Sequence, residues 1–135
     1  MPVEEHLNRI KQADLFIDTL PCNAHTTASD ALRMGLPVLT CIGSSFASRV
    51  AASLLKAINL PELITTTQEQ YESLAIELAT NPEKIKIIKD KLVGNLATSA
   101  LYNTPLFTKH LESAYLKMYD RYQQGLDPDH IYVKY

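Results

Sequence analysis

An α/β fold built on a few parallel strands is predicted by three features of the first 60 residues. Leu15-Phe-Ile17 and Pro37-Val-Leu-Thr-Cys-Ile42 are compact apolar runs, too short for helices and without the alternation of a strand that has one wet face, as expected of strands buried on both sides. Segments of helical period follow each of them. Strand, helix, strand, helix in about 45 residues is the rhythm of units joined by right-handed crossovers. In such a sheet ligands bind beyond the C-terminal ends of the strands.

Val3 to Gln12 reads as a short helix, with Pro2 at its first turn and Glu4 and Glu5 near the positive end of its dipole. The first strand ends before Pro21. Thr27 to Met34 reads as a brief helix stopped by Gly35. The second strand is followed by the Gly43-Ser-Ser turn and a helix from Phe46 to Asn59. There Phe46, Val50, Leu54 and Ile58, with Ala47, Ala51 and Leu55 beside them, predict a core-facing stripe. Leu63-Ile64 is a candidate third strand. Helices are predicted over Thr67 to Ala79, Pro82 to Thr98 and Pro105 to Gln124, with an extended tail from Gly125 to Tyr135.

The chain has 135 residues, 46% of them apolar and 21% charged, with a formal net charge of -2. That length and composition predict a single domain, 1–135, with a real core. The slightly acidic balance, without a block of Lys or Arg, argues against nucleic-acid and anionic-membrane partners. Cys22 and Cys41 are the only cysteines and have no metal-type spacing, so neither a disulfide framework nor a zinc site is expected. No apolar run of about 18 residues occurs, and the start lacks the regions of a signal peptide. A cytoplasmic location is expected.

Chemistry concentrates in Asp18-Thr-Leu-Pro-Cys-Asn-Ala-His-Thr-Thr-Ala-Ser-Asp30, which runs from a strand end into a helix start. Helix N-termini offer unpaired N–H groups and partial positive charge, so Thr26 and Thr27, with hydroxyls beside those amides, could cradle a phosphate. Asp30 lies one turn after Thr26, suited to a ribose diol rather than to the phosphates themselves. The alternative is plain capping, with Thr26 or Thr27 as N-cap and Asp30 as a first-turn acid matched to the dipole. Spacing alone leaves both open. The segment is neither a Walker loop nor a Gly-x-Gly-x-x-Gly turn.

That loop, together with Met34-Gly-Leu-Pro-Val-Leu-Thr40 and Ser45-Phe-Ala-Ser-Arg-Val-Ala-Ala-Ser-Leu-Leu55, resembles the C-terminal catalytic lobe of the O-GlcNAc transferase and SPINDLY family. Glu4-Glu-His-Leu-Asn-Arg9, Tyr71 in Gln-Glu-Gln-Tyr-Glu, Tyr102-Asn-Thr-Pro-Leu-Phe107 and Pro128-Asp-His extend the likeness over nearly the whole chain. The resemblance implies part of a Rossmann-like lobe of a GT-B glycosyltransferase that is inverting and needs neither metal nor cofactor. It implies UDP-GlcNAc or a related nucleotide sugar as donor, and a protein acceptor met through another lobe. On the matching positions it implies that His25, Thr26 and Thr27 bind the diphosphate, Asp30 the ribose, and His6 and Arg9 the uridine side. The family's diphosphate lysine and acceptor-side residues fall upstream of this chain, so no catalytic residue is assigned. The first lobe and any helical repeats are likewise expected outside these 135 residues.

Other candidates are weaker. Gly43-Ser-Ser45 could form a second anion site, but capping by Ser44 or Ser45 is favoured. Arg49 could meet a phosphate or a neighbouring acid. Asp127-Pro-Asp129 has the Asp-x-Asp spelling of metal-dependent transferases but reads as a turn. His110 and His130 lack partners at ligand spacing, and Cys22 reads as a small packing residue. With only two strong strands and one candidate, a sheet edge is expected to be open to another copy.

Overall fold

Three short strands pair in parallel in the N-terminal part of the chain, seen in a computed structural model that describes residues 2–133. The chain divides into two compact units, Met1–Leu101 and Tyr102–Tyr135. In the first, α1 (Val3–Ile10), β1 (Phe16–Ile17), α2 (Thr26–Arg33), β2 (Val38–Cys41), α3 (Val50–Ala57), β3 (Ile64–Thr65), α4 (Gln68–Thr80) and α5 (Pro82–Leu96) follow in order. The sheet order is β1-β2-β3, all parallel. Phe16 pairs with Val38 and Ile17 with Leu39, while Thr40 pairs with Ile64 and Cys41 with Thr65.

β2 is buried along its whole length, as a continuous apolar run predicts for a central parallel strand. α2, α3 and α4 all pack against it. α2 contributes Ala28, Ala31 and Leu32 to the core, α3 contributes Ala51, Ala52 and Leu55, and Ile58, Leu60 and Leu63 close it below the third strand. α2 and α3 meet through faces rich in alanine, which leaves little side-chain bulk between their backbones. α5 joins through Ile88 and Leu92 and packs on α4. α4 and α5 are capped by Thr67 and Asn81, whose side chains accept from Gln70 N and Lys84 N.

Two expectations change. The stripe expected from Phe46 is realised only within and after α3, because Phe46–Ser48 form a 3-10 turn and Arg49, at φ -124°, breaks the run before α3 begins. Ala51, Leu55 and Ile58 are buried as expected, while the residue ahead of the break is not. Phe46 is 81% exposed, Val50 and Leu54 are half-buried, and the core-facing set becomes Ala51, Ala52, Leu55 and Ile58. β1, in turn, is not buried on both sides: Ile17 is 49% exposed. In a parallel ladder alternate residues bond one neighbour. Phe16 N donates to Pro37 O, just before β2, and Asp18 N to Leu39 O on it, so the amide and carbonyl of Ile17 face the other way, with no partner among the described residues.

The second unit is α6 (Thr104–Gln123) followed by an irregular segment. Asn103 caps α6 by accepting from Leu106 N, and Gly125, at φ 66°, ends it in the left-handed region. Arg121 holds the return of the chain by donating through Nε and Nη2 to Asp127 O, at 3.2 and 2.6 Å. Among the described residues no helix is long and apolar enough to cross a membrane.

The turn after β2 depends on the absence of a side chain. A Cβ on Gly43 would lie 2.4 Å from Ser48 Oγ and 2.7 Å from Ser48 Cβ, and Ser48 is buried and fixed by donating its hydroxyl to Ser45 O. Gly43→Ala is expected to lower stability by about 1–3 kcal/mol. Gly94→Ala, in an open position of α5 with nothing within 4 Å, should raise it by up to ~1 kcal/mol. Urea unfolding of the two variants checks both signs.

Candidate functional site

The loop between β1 and α2 is organised by one buried carboxylate. Asp18, 4% exposed at the end of β1, accepts on Oδ1 from Thr19 N at 2.8 Å and from Ala24 N at 2.7 Å. Its Oδ2 accepts from Thr40 Oγ1 at 2.6 Å. Thr40 O in turn accepts from Thr65 Oγ1 at 3.0 Å, so all three strands join one hydrogen-bonded line. From α4, Tyr71 donates its hydroxyl to Asp18 O. Within the loop, Thr19 Oγ1 donates to Cys22 O at 2.7 Å and Asn23 Nδ2 to Thr19 O at 3.2 Å. Asn23 N donates to Ala47 O at 2.9 Å, tying the loop to the turn after β2. The Leu20–Pro21 peptide is cis.

The loop delivers His25 to the N-cap position of α2, where its side chain makes no capping bond. Neither capping alternative is therefore realised: Thr26 and Thr27 are the first two helical residues, and the first turn holds no acid, because Asp30 lies beyond it. Both threonines are exposed, and Asp30 is half-buried one turn along the same helix face. Among the described residues the side chains of Thr26, Thr27 and Asp30 have no hydrogen-bond or ion-pair partner. Two free hydroxyls thus stand beside the unpaired amides of a helix N-terminus, with a free carboxylate a turn away. The His25 ring lies with Nε2 3.4 Å from Ala47 O and edge-on to Phe46, ring centres 6.1 Å apart. A crevice of about 300 Å3 opens at the C-terminal end of β2, between Leu20 and Pro21 on one side and Ile42, Gly43, Ser44 and Ser45 on the other.

The remaining sequence candidates divide. His6 and Arg9 share one face of α1, with Arg9 Nη2 3.5 Å from His6 Nδ1, at the outer limit of a hydrogen bond, and α1 packs on α2. Arg49 pairs with no acid among the described residues; its guanidinium donates to Gly43 O at 3.0 Å and steadies the turn. Ser45 occupies the N-cap position of the 3-10 turn, but its hydroxyl lies 3.0 Å from that of Ser48 instead of capping a backbone amide. Cys22 is exposed and not a packing residue, with Sγ 3.7 Å from Asn23 O. Asp127-Pro-Asp129 lies along Arg121, with Asp129 Oδ2 3.8 Å from its Nη2 and Oδ1 accepting from His130 N at 2.7 Å. Among the described residues no three His, Cys, Asp or Glu side chains are grouped to hold a metal ion.

The sequence profile of Glycosyl transferase family 41 matches residues 1–111. The chain is 37% identical over 128 residues to a Caenorhabditis elegans UDP-N-acetylglucosamine–peptide N-acetylglucosaminyltransferase, covering 95% of this chain and 11% of that protein. It is also 37% identical over 130 residues to the Arabidopsis thaliana protein described as the probable enzyme of that name, SEC, covering 96% and 13%. A solved mutant O-GlcNAc transferase of Thermobaculum terrenum superposes with a TM-score of 0.84 at 34% identity, over 93% of this chain and 24% of the other. The chain therefore spans between a tenth and a quarter of the length of these relatives.

Burial, then the charges of Asp18 and Cys41, hold the Tyr71 hydroxyl above its ordinary ionisation range near pH 10. A raised folded-state pKa means that the protonated phenol is favoured in the fold. Its contribution is full below the unfolded value and is lost as pH rises through the folded one. Stability should therefore fall in the alkaline range above about pH 10, and Tyr71→Phe should flatten that part of the curve, measured by unfolding between pH 8 and pH 11.5, both ~ values set by the unperturbed phenol.

Proposed function

Because the chain belongs to Glycosyl transferase family 41, we propose that it is the donor-nucleotide portion of an inverting, metal-independent protein O-glycosyltransferase. In this reading the enzyme moves N-acetylglucosamine from UDP-GlcNAc to Ser or Thr hydroxyls. The observation that carries it is the start of α2, where Thr26 and Thr27 keep their hydroxyls and amides free beside Asp30. A diphosphate fits that N-terminus because both the dipole and the unpaired N–H groups favour negative charge. Asp30, one turn further, is a diphosphate's poor neighbour and a ribose diol's good one. His6 and Arg9, on the helix that packs against α2, take the uridine side.

As the acceptor hydroxyl attacks the anomeric carbon, the bond to the diphosphate breaks and UDP leaves with growing negative charge. Fixed amides and hydroxyls at α2, with His25 at their edge, stabilise that charge without reorganising. The acceptor-side groups, the general base and the family's lysine belong to the rest of the polypeptide, which acts in the cytosol.

Titration of UDP, GDP and UDP-GlcNAc against the polypeptide carrying this chain tests the reading. UDP should bind, and Thr26→Ala, Thr27→Ala and Asp30→Ala should each weaken it by about 1–3 kcal/mol. Unchanged affinity in all three variants would refute the site. The outward amide and carbonyl of Ile17 support a second reading for the chain on its own, in which two copies associate by strand addition at β1. Light scattering that gives the mass of one chain at high concentration would dismiss it.

A further inference from the structure

The proposed donor site holds no residue from the sheet interior or from α4, yet its conformation is tied to both. Asp18 meets four donors from four places: the Thr19 amide beside it, the Ala24 amide across the loop, the Thr40 hydroxyl on β2 and the Tyr71 hydroxyl on α4. Ala24 directly precedes His25, the N-cap of α2. A shift of the Ala24 amide therefore moves the first turn of the helix and its free hydroxyls with it. No basic side chain forms an ion pair with Asp18 among the described residues, so neutral donors alone define where its two oxygens sit.

Resting on the donor-binding reading above, we propose that Asp18, Thr40 and Tyr71 are positioning residues that hold the loop and the N-terminus of α2 in the diphosphate-binding conformation. Thr40 and Tyr71 do this without touching the donor. Thr40 is fully buried, and Tyr71 reaches Asp18 across 53 residues of sequence. They act by fixing the carboxyl and the carbonyl of a single residue, from which the loop is hung. Preorganised donors cost a ligand less to bind than donors it must first order.

The test uses the polypeptide carrying this chain and three substitutions. Tyr71→Phe removes one hydroxyl from a half-buried ring, Thr40→Val keeps shape and loses the hydroxyl, and Thr40→Ser keeps the hydroxyl and loses a methyl. UDP affinity is measured well below the unfolding temperature, with hydrogen exchange at the Thr19 and Ala24 amides. Tyr71→Phe and Thr40→Val should each weaken UDP about three- to tenfold, the scale of one hydrogen bond, and speed exchange at both amides. Thr40→Ser should restore both readouts.

Wild-type affinity and wild-type exchange in Tyr71→Phe and Thr40→Val would overturn the proposal, as would weakened affinity with unchanged exchange. A wild-type polypeptide that binds no UDP would refute the donor site itself. The exchange rates then decide the positioning role separately, since unchanged rates overturn it there too.

Discussion

A carboxyl group buried at the end of a strand must find donors, and the demand of Asp18 for them governs this structure. Burying such a group without partners costs several kcal/mol on the usual scales, so the elements around it are placed to supply them. The strand register does part of the task. With Ile17 opposite Leu39, the next position along β2 is Thr40, whose hydroxyl lands 2.6 Å from Asp18 Oδ2. A slip of one residue would turn Thr40 to the other face of the sheet and leave an apolar neighbour beside the carboxyl. Correct pairing of the first two strands and correct shape of the loop are thus one requirement met by one residue.

The division between rigid parts and parts with unpaired polar groups follows from this. The sheet and the alanine-rich contact of α2 with α3 provide a scaffold with little room to adjust. The loop spends its polar groups on itself: Thr19 on Cys22, Asn23 on Thr19, Ala24 on Asp18. What it delivers is left unspent. The threonine hydroxyls and the Asp30 carboxyl stay open because Asp18, and not a capping side chain, shapes the approach to the helix.

Much of this was legible in the residues, and the misses have physical causes. The apolar run of β2 announces itself because its burial is continuous, and the helices expected over Thr67 to Ala79 and Pro82 to Thr98 form within two residues of those bounds. The start of α2 is off by one residue, His25 taking the cap that its neighbours are chemically better suited to fill. The stripe of α3 holds for Ala51, Leu55 and Ile58 and misses at Phe46, because periodicity carries no information about the break at Arg49 that separates the 3-10 turn from the helix. Thr26, Thr27 and Asp30 could be singled out from type and spacing. Asp18, Thr40 and Tyr71 could not be joined, since their relation exists only after β1, β2 and α4 have come together. The available signal was an acid closing an apolar strand and a threonine within another, polar residues where burial was otherwise unbroken.

The strand order carries a consequence for how the chain acquires its shape. Each strand pairs with its successor, and the paired residues are separated by roughly two dozen positions, so the sheet is closed by two similar, modest loops. The Tyr71 contact with Asp18 spans 53 positions, a closure that costs more chain entropy and gains its partner only once β3 and α4 exist. The sheet can be stitched from neighbours in order along the polypeptide. The loop between β1 and α2, although it is encoded early, receives its last fixed point from a helix encoded late.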